Sequence, residues 1–110
     1  MNQTQTKTTV SNLKVGKVYQ AGYISRGNDN RTANRFVGFR VNGQYFNQLK
    51  TLKQFYGVRN LRDLEFEVDR LEHGSITCEW YDCEDEFHWA AYLWSGKFCV
   101  GSSGDALKVA

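Results

Sequence analysis

Residues 75–100 read SITCEWYDCEDEFHWAAYLWSGKFCV, and the pattern of this stretch decides the predicted fold. Apolar and polar residues alternate on both sides of the charged segment 82–86, which is typical of antiparallel strands with one buried face. The pair Ser95-Gly96 favours a tight turn into a further strand. The stretch therefore predicts a meander, with inward side chains at Ile76, Cys78, Trp80, Phe87, Trp89, Ala91 and Leu93.

A hairpin and a helix are predicted upstream of the meander. Residues 35–48 read RFVGFRVNGQYFNQ, in which Asn-Gly at 42–43 separates two apolar runs and suits a type I′ turn. Residues 47–57 read NQLKTLKQFYG, with apolar residues at helical spacing and Gly57 suited to end the helix. Together these segments predict two strands followed by one short helix.

The remaining segments complete the predicted order. Residues 63–71 read DLEFEVDRL, and their alternation predicts a strand with an apolar inner face and an acidic face in water. Residues 13–25 predict the first strand, and 25–34 a polar loop of ten residues. The tails at 1–11 and 102–110 are expected to be a flexible polar tail and a loose C-terminal tail, respectively.

The predicted fold is a small single α+β domain over residues 12–101, with element order βββαββββ. A strongly twisted antiparallel sheet or half-barrel, with one helix packed on it, accommodates these elements. A small SH3-like or OB-like barrel is the main alternative architecture.

Composition indicates a globular chain in a reducing compartment. Hydrophobic residues make up 41% of the 110 residues, more than disordered chains carry. The three cysteines are an odd number, and no apolar run approaches the length of a secretory h-region or a membrane span. A cytoplasmic protein is therefore expected.

The charges divide the chain into two halves. Residues 1–62 hold eleven Lys and Arg against one Asp, a net +10, whereas residues 63–110 hold three against eleven acids, a net −8. A basic half interleaved with aromatic residues favours a non-enzymatic module that docks nucleic acid or a nucleoprotein. The alternative is that the two halves interleave in space and neutralise one another. The predicted nucleic-acid-binding residues are Arg26, Arg31, Arg35, Arg40, Lys50, Lys53 and Arg59.

A protein partner is the second hypothesis, because exposed aromatic residues beside charges mark interfaces. Tyr92 and Trp94 share the predicted outward face, and Asp82, Glu84 and Asp85 crowd the preceding turn. Such a protein would be an adaptor or an inhibitor, for example a phage or mobile-element protein that blocks host machinery, as anti-CRISPR-type inhibitors do. The sequence does not define an oligomeric state.

Chemistry at residues 78–99 is the third hypothesis. Cys78, Cys83, His88 and Cys99 lack the short paired spacing of zinc ligands, and the acidic turn lacks the glycine of a calcium loop, so no metal or cofactor is expected. A Cys/His enzyme would need Cys83 and His88 to meet across the turn. Without an oxyanion loop or other catalytic motif, an enzyme is not the expected function.

Overall fold

A computed structural model describes residues 9–25, 28–29, 32–100 and 105–109 of the chain. Within these ranges it forms one sheet with two α-helices and a short 3-10 helix at Val10–Asn12. The strands are β1 (Val18–Ser25), β2 (Asn28–Asp29), β3 (Thr32–Val41), β4 (Gln44–Phe46), β5 (Ile76–Asp82), β6 (Phe87–Trp94), β7 (Lys97–Val100) and β8 (Asp105–Val109). The helices are α1 (Leu49–Tyr56) and α2 (Leu61–Glu72).

The sheet is antiparallel and curls on itself. Its strand order is β2-β1-β8-β7-β6-β5-β3-β4. β1 pairs with β8 through residues 21–24 and also with β3 through residues 18–21, so six strands are linked in a circuit. The predicted α+β class and half-barrel form are confirmed, because strands that twist with one hand curl around the apolar face they share.

An aromatic layer fills the inside of the curled sheet. Phe36, Trp80 and Trp89 occupy one register row across β3, β5 and β6, and the two indoles stack with centroids 5.8 Å apart. The Trp89 indole also donates a 2.9 Å hydrogen bond to the Asn34 side-chain oxygen. The Asn34 amide donates to the Ala21 carbonyl, so this fully buried polar group is anchored to two strands.

The local predictions for the hairpin and the first helix are confirmed. Asn42 and Gly43 both have positive φ, 50° and 86°, as a type I′ turn between β3 and β4 requires. α1 ends at Gly57 in the left-handed conformation, and its buried residues Leu49 and Leu52 join the core. The predicted inward residues Ile76, Cys78, Trp80, Ala91 and Leu93 are buried, Trp89 is half-buried, and Phe87 is exposed.

The strand predicted at residues 63–71 is wrong, because this segment lies in α2. Leu64 and Val68 are buried one helical turn apart, whereas Phe66 is 63% exposed. In a helix, side chains two residues apart point about 200° apart, whereas side chains four residues apart point to nearly the same side. An alternating run whose apolar residues are four apart, as Leu64 and Val68 are, can therefore also form an amphipathic helix. Asn60 starts it by accepting a 2.8 Å hydrogen bond from the Asp63 amide.

Three further segments differ from the prediction. Residues 105–109, expected in a loose tail, form β8 between β1 and β7. The predicted polar loop at 25–34 contains β2 and the start of β3. Val10, expected in the flexible N-terminal tail, is buried in the core. The pairings of β2 and β8 satisfy backbone N–H and C=O groups of neighbouring strands. The local sequence pattern does not identify which strand edges need such a partner.

A carboxylate of α2 contacts the turn between β6 and β7. Glu65 accepts hydrogen bonds from the amides of Ser95 (2.8 Å) and Gly96 (2.9 Å) in the β6–β7 turn. The sequence places Glu65 on an acidic face in water, and the structure instead uses it to hold a helix against a turn. Among the described helices, none is long and apolar enough to cross a membrane.

Candidate functional site

Three side chains form a row on the outer face of the sheet. Arg35 on β3 is paired in register with Tyr81 on β5, and Tyr81 with His88 on β6. The Arg35 guanidinium lies 6.0 Å from the centre of the Tyr81 ring, and the His88 ring lies 5.2 Å from it in an edge-on arrangement. Arg35 and His88 are exposed and Tyr81 is half-buried, so the row is accessible to a ligand.

The outer row follows from the inner aromatic layer. Successive residues of a strand point to opposite faces, so Arg35, Tyr81 and His88 each lie next to a residue of the inner row of Phe36, Trp80 and Trp89. Packing of the inner rings fixes the register of the three strands, and that register places the outer side chains beside one another.

A second cluster lies farther along β3. The Arg40 guanidinium makes a 2.6 Å ion pair with Glu79 and lies 5.3 Å from the centre of the Tyr45 ring. Arg40 also donates to the Gly43 carbonyl at 3.3 Å. The Glu79 carboxylate therefore offsets the charge of this predicted binding residue, and at this point the basic and acidic halves interleave.

The other predicted basic residues lie apart from the row. Lys50 and Lys53 lie on α1, and Arg59 lies in the segment between the helices. α1 follows β4, which pairs with the Arg40 end of β3 rather than the Arg35 end. Arg26 and Arg31 fall outside the described residues. The described members of the predicted set are thus divided among the sheet, α1 and the segment between the helices.

The acidic turn before β6 has its own structural role. Asp82 is only 7% exposed, and its carboxylate accepts hydrogen bonds from the amides of Glu84 (2.8 Å) and Asp85 (3.0 Å). This arrangement shapes the turn, as Asp side chains commonly do. Asp82 therefore does not reach solvent as the predicted partner contact requires, whereas Glu84 and Asp85 are exposed.

The predicted aromatic pair on β6 differs in exposure. Trp94 is 67% exposed, whereas Tyr92 is half-buried between Thr77 and Cys99 in neighbouring strands. The two residues share the outward parity of β6 with His88, as the alternation predicts. Trp94 is therefore the more accessible residue of the predicted partner-binding pair.

Cys83 and His88 contact different groups of Tyr81. The Cys83 thiol lies 3.8 Å from the Tyr81 carbonyl, to which it donates, and the His88 ring rests against the Tyr81 ring. Cys78 and Cys99 are buried, and burial raises the pKa of the Cys78 thiol well above its usual value. In the described part of the chain, no group of three or more His, Cys, Asp or Glu side chains is arranged to hold a metal ion.

The sequence prediction missed Tyr81 and His88 as site residues, although it placed both on outward faces. The sequence contained one signal for this pair. Asp82 and Phe87 are paired at the two ends of the turn, so Tyr81 and His88, one residue farther along each strand, are also paired. Only the further pairing of β5 with β3 adds Arg35 to them. Comparison of the chain with protein-family models, curated proteins and solved structures found no match.

Proposed function

We propose that the protein is a binding module that holds single-stranded nucleic acid on the outer face of β3, β5 and β6. The observation that supports this most is the accessible row of Arg35, Tyr81 and His88. Proteins that bind single strands combine aromatic faces, on which bases stack, with cations that contact phosphates. In this proposal Tyr81 and His88 stack against bases and Arg35 contacts a phosphate.

The charge around the row favours an approach from the side of β1. On the β1 side, the register partner of Arg35 is Val18, an uncharged residue that is 45% exposed. Tyr81 and His88 each lie one residue from the Asp82–Phe87 pair that closes the acidic turn, where Glu84 and Asp85 would repel phosphates. The strand is therefore expected to run along the β1–β3 side and to turn its bases toward Tyr81.

Binding of labelled DNA and RNA single strands at low and moderate salt tests the proposal. We expect binding that weakens with salt and that is reduced about tenfold by Tyr81→Ala, since base stacking contributes ~1–3 kcal/mol per base. Arg35→Ala should reduce the affinity and the salt dependence together.

Two matched variants serve as controls for these substitutions. Phe87→Ala removes an exposed aromatic residue of the same sheet outside the row, and Arg70→Ala removes an arginine of α2 that pairs with Glu67. Neither should change oligonucleotide affinity. Absence of binding at low salt would reject the proposal. Wild-type affinity in both Tyr81→Ala and Arg35→Ala would also reject it.

A further inference from the structure

A groove separates α2 from the end of β6, at the opposite end of that strand from His88. Phe66 and Trp94 line it, and these are the two most exposed large apolar side chains among the described residues, at 63% and 67%. The buried side chains of Ile76 and Leu93 also contribute to its lining. Adjacent exposed aromatic residues of this kind mark partner surfaces on soluble proteins.

The size of the groove points to a side chain rather than a small molecule. Its volume is about 230 Å³, below the roughly 300–1,000 Å³ of typical ligand pockets. It is bounded by a helix and a turn that the Glu65 carboxylate holds together through the Ser95 and Gly96 amides. Because the groove is already formed, less conformational entropy is lost when a partner binds.

The charged residues that line the groove are both acidic. Glu65 and Asp69 are its two charged lining residues, and no Lys or Arg lines it in the described part of the chain. Of the nearby cations, Arg70 is paired with Glu67, and Lys97 is the register partner of Trp94 in the neighbouring strand. The lining of the groove thus combines an apolar floor with two carboxylates, and Lys97 lies beside Trp94 outside that lining.

We infer that this groove docks a protein partner that inserts an apolar side chain between Phe66 and Trp94 and places Lys or Arg beside Asp69. Charge complementarity selects the partner, because a cation next to the inserted side chain is attracted to the rim while an acidic segment is repelled. Trp94 is the expected hot spot, since exposed tryptophan buried on binding contributes heavily to affinity. The protein would then have two separate interfaces, one for nucleic acid and one for a basic segment of a protein.

Synthetic peptides with leucine or phenylalanine flanked by arginines test the inference by fluorescence anisotropy on the full chain. We expect the basic apolar peptide to bind, and peptides with glutamate for arginine, or serine for the apolar residue, to bind much more weakly. Trp94→Ala should weaken binding about thirtyfold, as expected for loss of a hot-spot residue. Asp69→Lys should also weaken it, because it reverses the charge at the rim.

Control variants separate the groove from the rest of the surface. Phe87→Ala and Asp85→Lys change an exposed aromatic residue and an exposed acid elsewhere, and both should leave peptide binding unchanged. Phe66→Ala provides a second test of the groove if Trp94→Ala alters the circular dichroism spectrum. Its exposed position on α2 makes that substitution mild.

Three results would overturn the inference. One is equal binding of the basic and acidic peptides, and another is unchanged binding by both Trp94→Ala and Asp69→Lys. The third is concentration-dependent self-association of the protein that Trp94→Ala abolishes, which would assign the groove to a second copy of the chain. The combined variant Arg35→Ala/Tyr81→Ala should keep full peptide binding, so failure of this inference is distinguishable from failure of the nucleic-acid proposal.

Discussion

The ring of Tyr45 lies over the α-carbon of Gly38 on the outer face of the sheet. The Tyr45 hydroxyl donates a 2.7 Å hydrogen bond to the Val37 carbonyl, at the bulge where β3 shifts register against β5. Gly38 has a φ of 149°, and an added β-carbon there would lie 2.8 Å from Cζ of Tyr45. Position 38 thus requires glycine for two reasons, its backbone conformation and the covering ring.

Gly38→Ala should lower the free energy of unfolding by roughly 2–4 kcal/mol, the sum of backbone strain and overpacking against Tyr45. Urea denaturation measures the change. Gly43→Ala is the matched control, because Gly43 also has positive φ but nothing within 4 Å of an added β-carbon, so it should lose only about 1 kcal/mol. Equal losses in the two variants would show that the Tyr45 ring moves aside freely.

Glu79→Gln should strengthen binding of single-stranded oligonucleotides. It removes the carboxylate that pairs with Arg40 at 2.6 Å and leaves that arginine to contact phosphates. The slope of log affinity against log salt should steepen by roughly 0.7, the contribution of one added phosphate contact on a single strand. Glu67→Gln, which releases Arg70 on α2, is the control and should change neither quantity. A weaker affinity in the Glu79 variant would mean that the pair orders the binding face.

Glu65→Ala should destabilise the fold by about 1–3 kcal/mol, because it leaves two turn amides without their charged acceptor. The Ser95 and Gly96 amides both donate to this side chain. Hydrogen exchange at these two amides should also accelerate relative to the rest of β6 and β7. Glu84→Ala removes an exposed acid from the other turn of β6 and should be nearly neutral. Unchanged exchange at both amides would contradict the assigned role of Glu65.

Stability should fall in alkali because of Tyr56. Burial, together with the hydrogen bond that its hydroxyl donates to Glu72, raises the pKa of Tyr56 from 10.0 to about 12. Between pH 10 and about pH 12 the native state keeps a proton that the unfolded chain releases, so the free energy of unfolding decreases as the pH rises through this range. Below pH 10 the contribution is complete.

Urea denaturation of the wild-type chain and Tyr56→Phe on both sides of pH 10 measures this effect. The stability difference between the two proteins should shrink as pH rises, because only the wild type loses the favourable protonated phenol. Glu72→Gln should reduce the pH dependence by removing the negative partner. A difference that stays constant across pH would place Tyr56 in solvent.

Thiol labelling should distinguish the three cysteines. Cys83 is half-buried, whereas Cys78 and Cys99 are buried, and burial raises the pKa of the Cys78 thiol. Ellman's reagent should therefore label Cys83 first in the native protein and the other two only as the chain unfolds, since attack requires an accessible thiolate. Cys83→Ser should abolish the fast phase. A fast phase that persists in this variant would show that β7 or β5 opens readily.

Local sequence rules predicted the parts of the fold that neighbouring residues control. The Asn42-Gly43 turn, the end of α1 at Gly57 and the inward side of β5 all follow from conformational preference and alternation within a few residues. The strand predicted at 63–71 failed because its alternating pattern suits a helix equally well. The Asn60 cap and contacts with the sheet, such as the Glu65 hydrogen bonds, favour the helix.

The candidate site was predicted only in part, for a related reason. Arg35 was identified from its charge and Trp94 from its parity, and both are exposed in the fold. Tyr81 and His88 were missed as site residues because they become part of a candidate site only beside Arg35 of β3, which is distant in sequence. Asp82 was misassigned because a charge pattern does not show whether a carboxylate faces solvent or the amides of its own turn.

The sequence by itself therefore determined which residues alternate between faces, where the tight turns lie, and that basic and acidic residues are concentrated in different halves of the chain. The tertiary structure alone decided which charges and rings become neighbours, such as Arg40 and Glu79 across 39 residues. The physical reason is that strand register is set by packing of the inner rings of Phe36, Trp80 and Trp89, a contact among distant segments that no local pattern encodes.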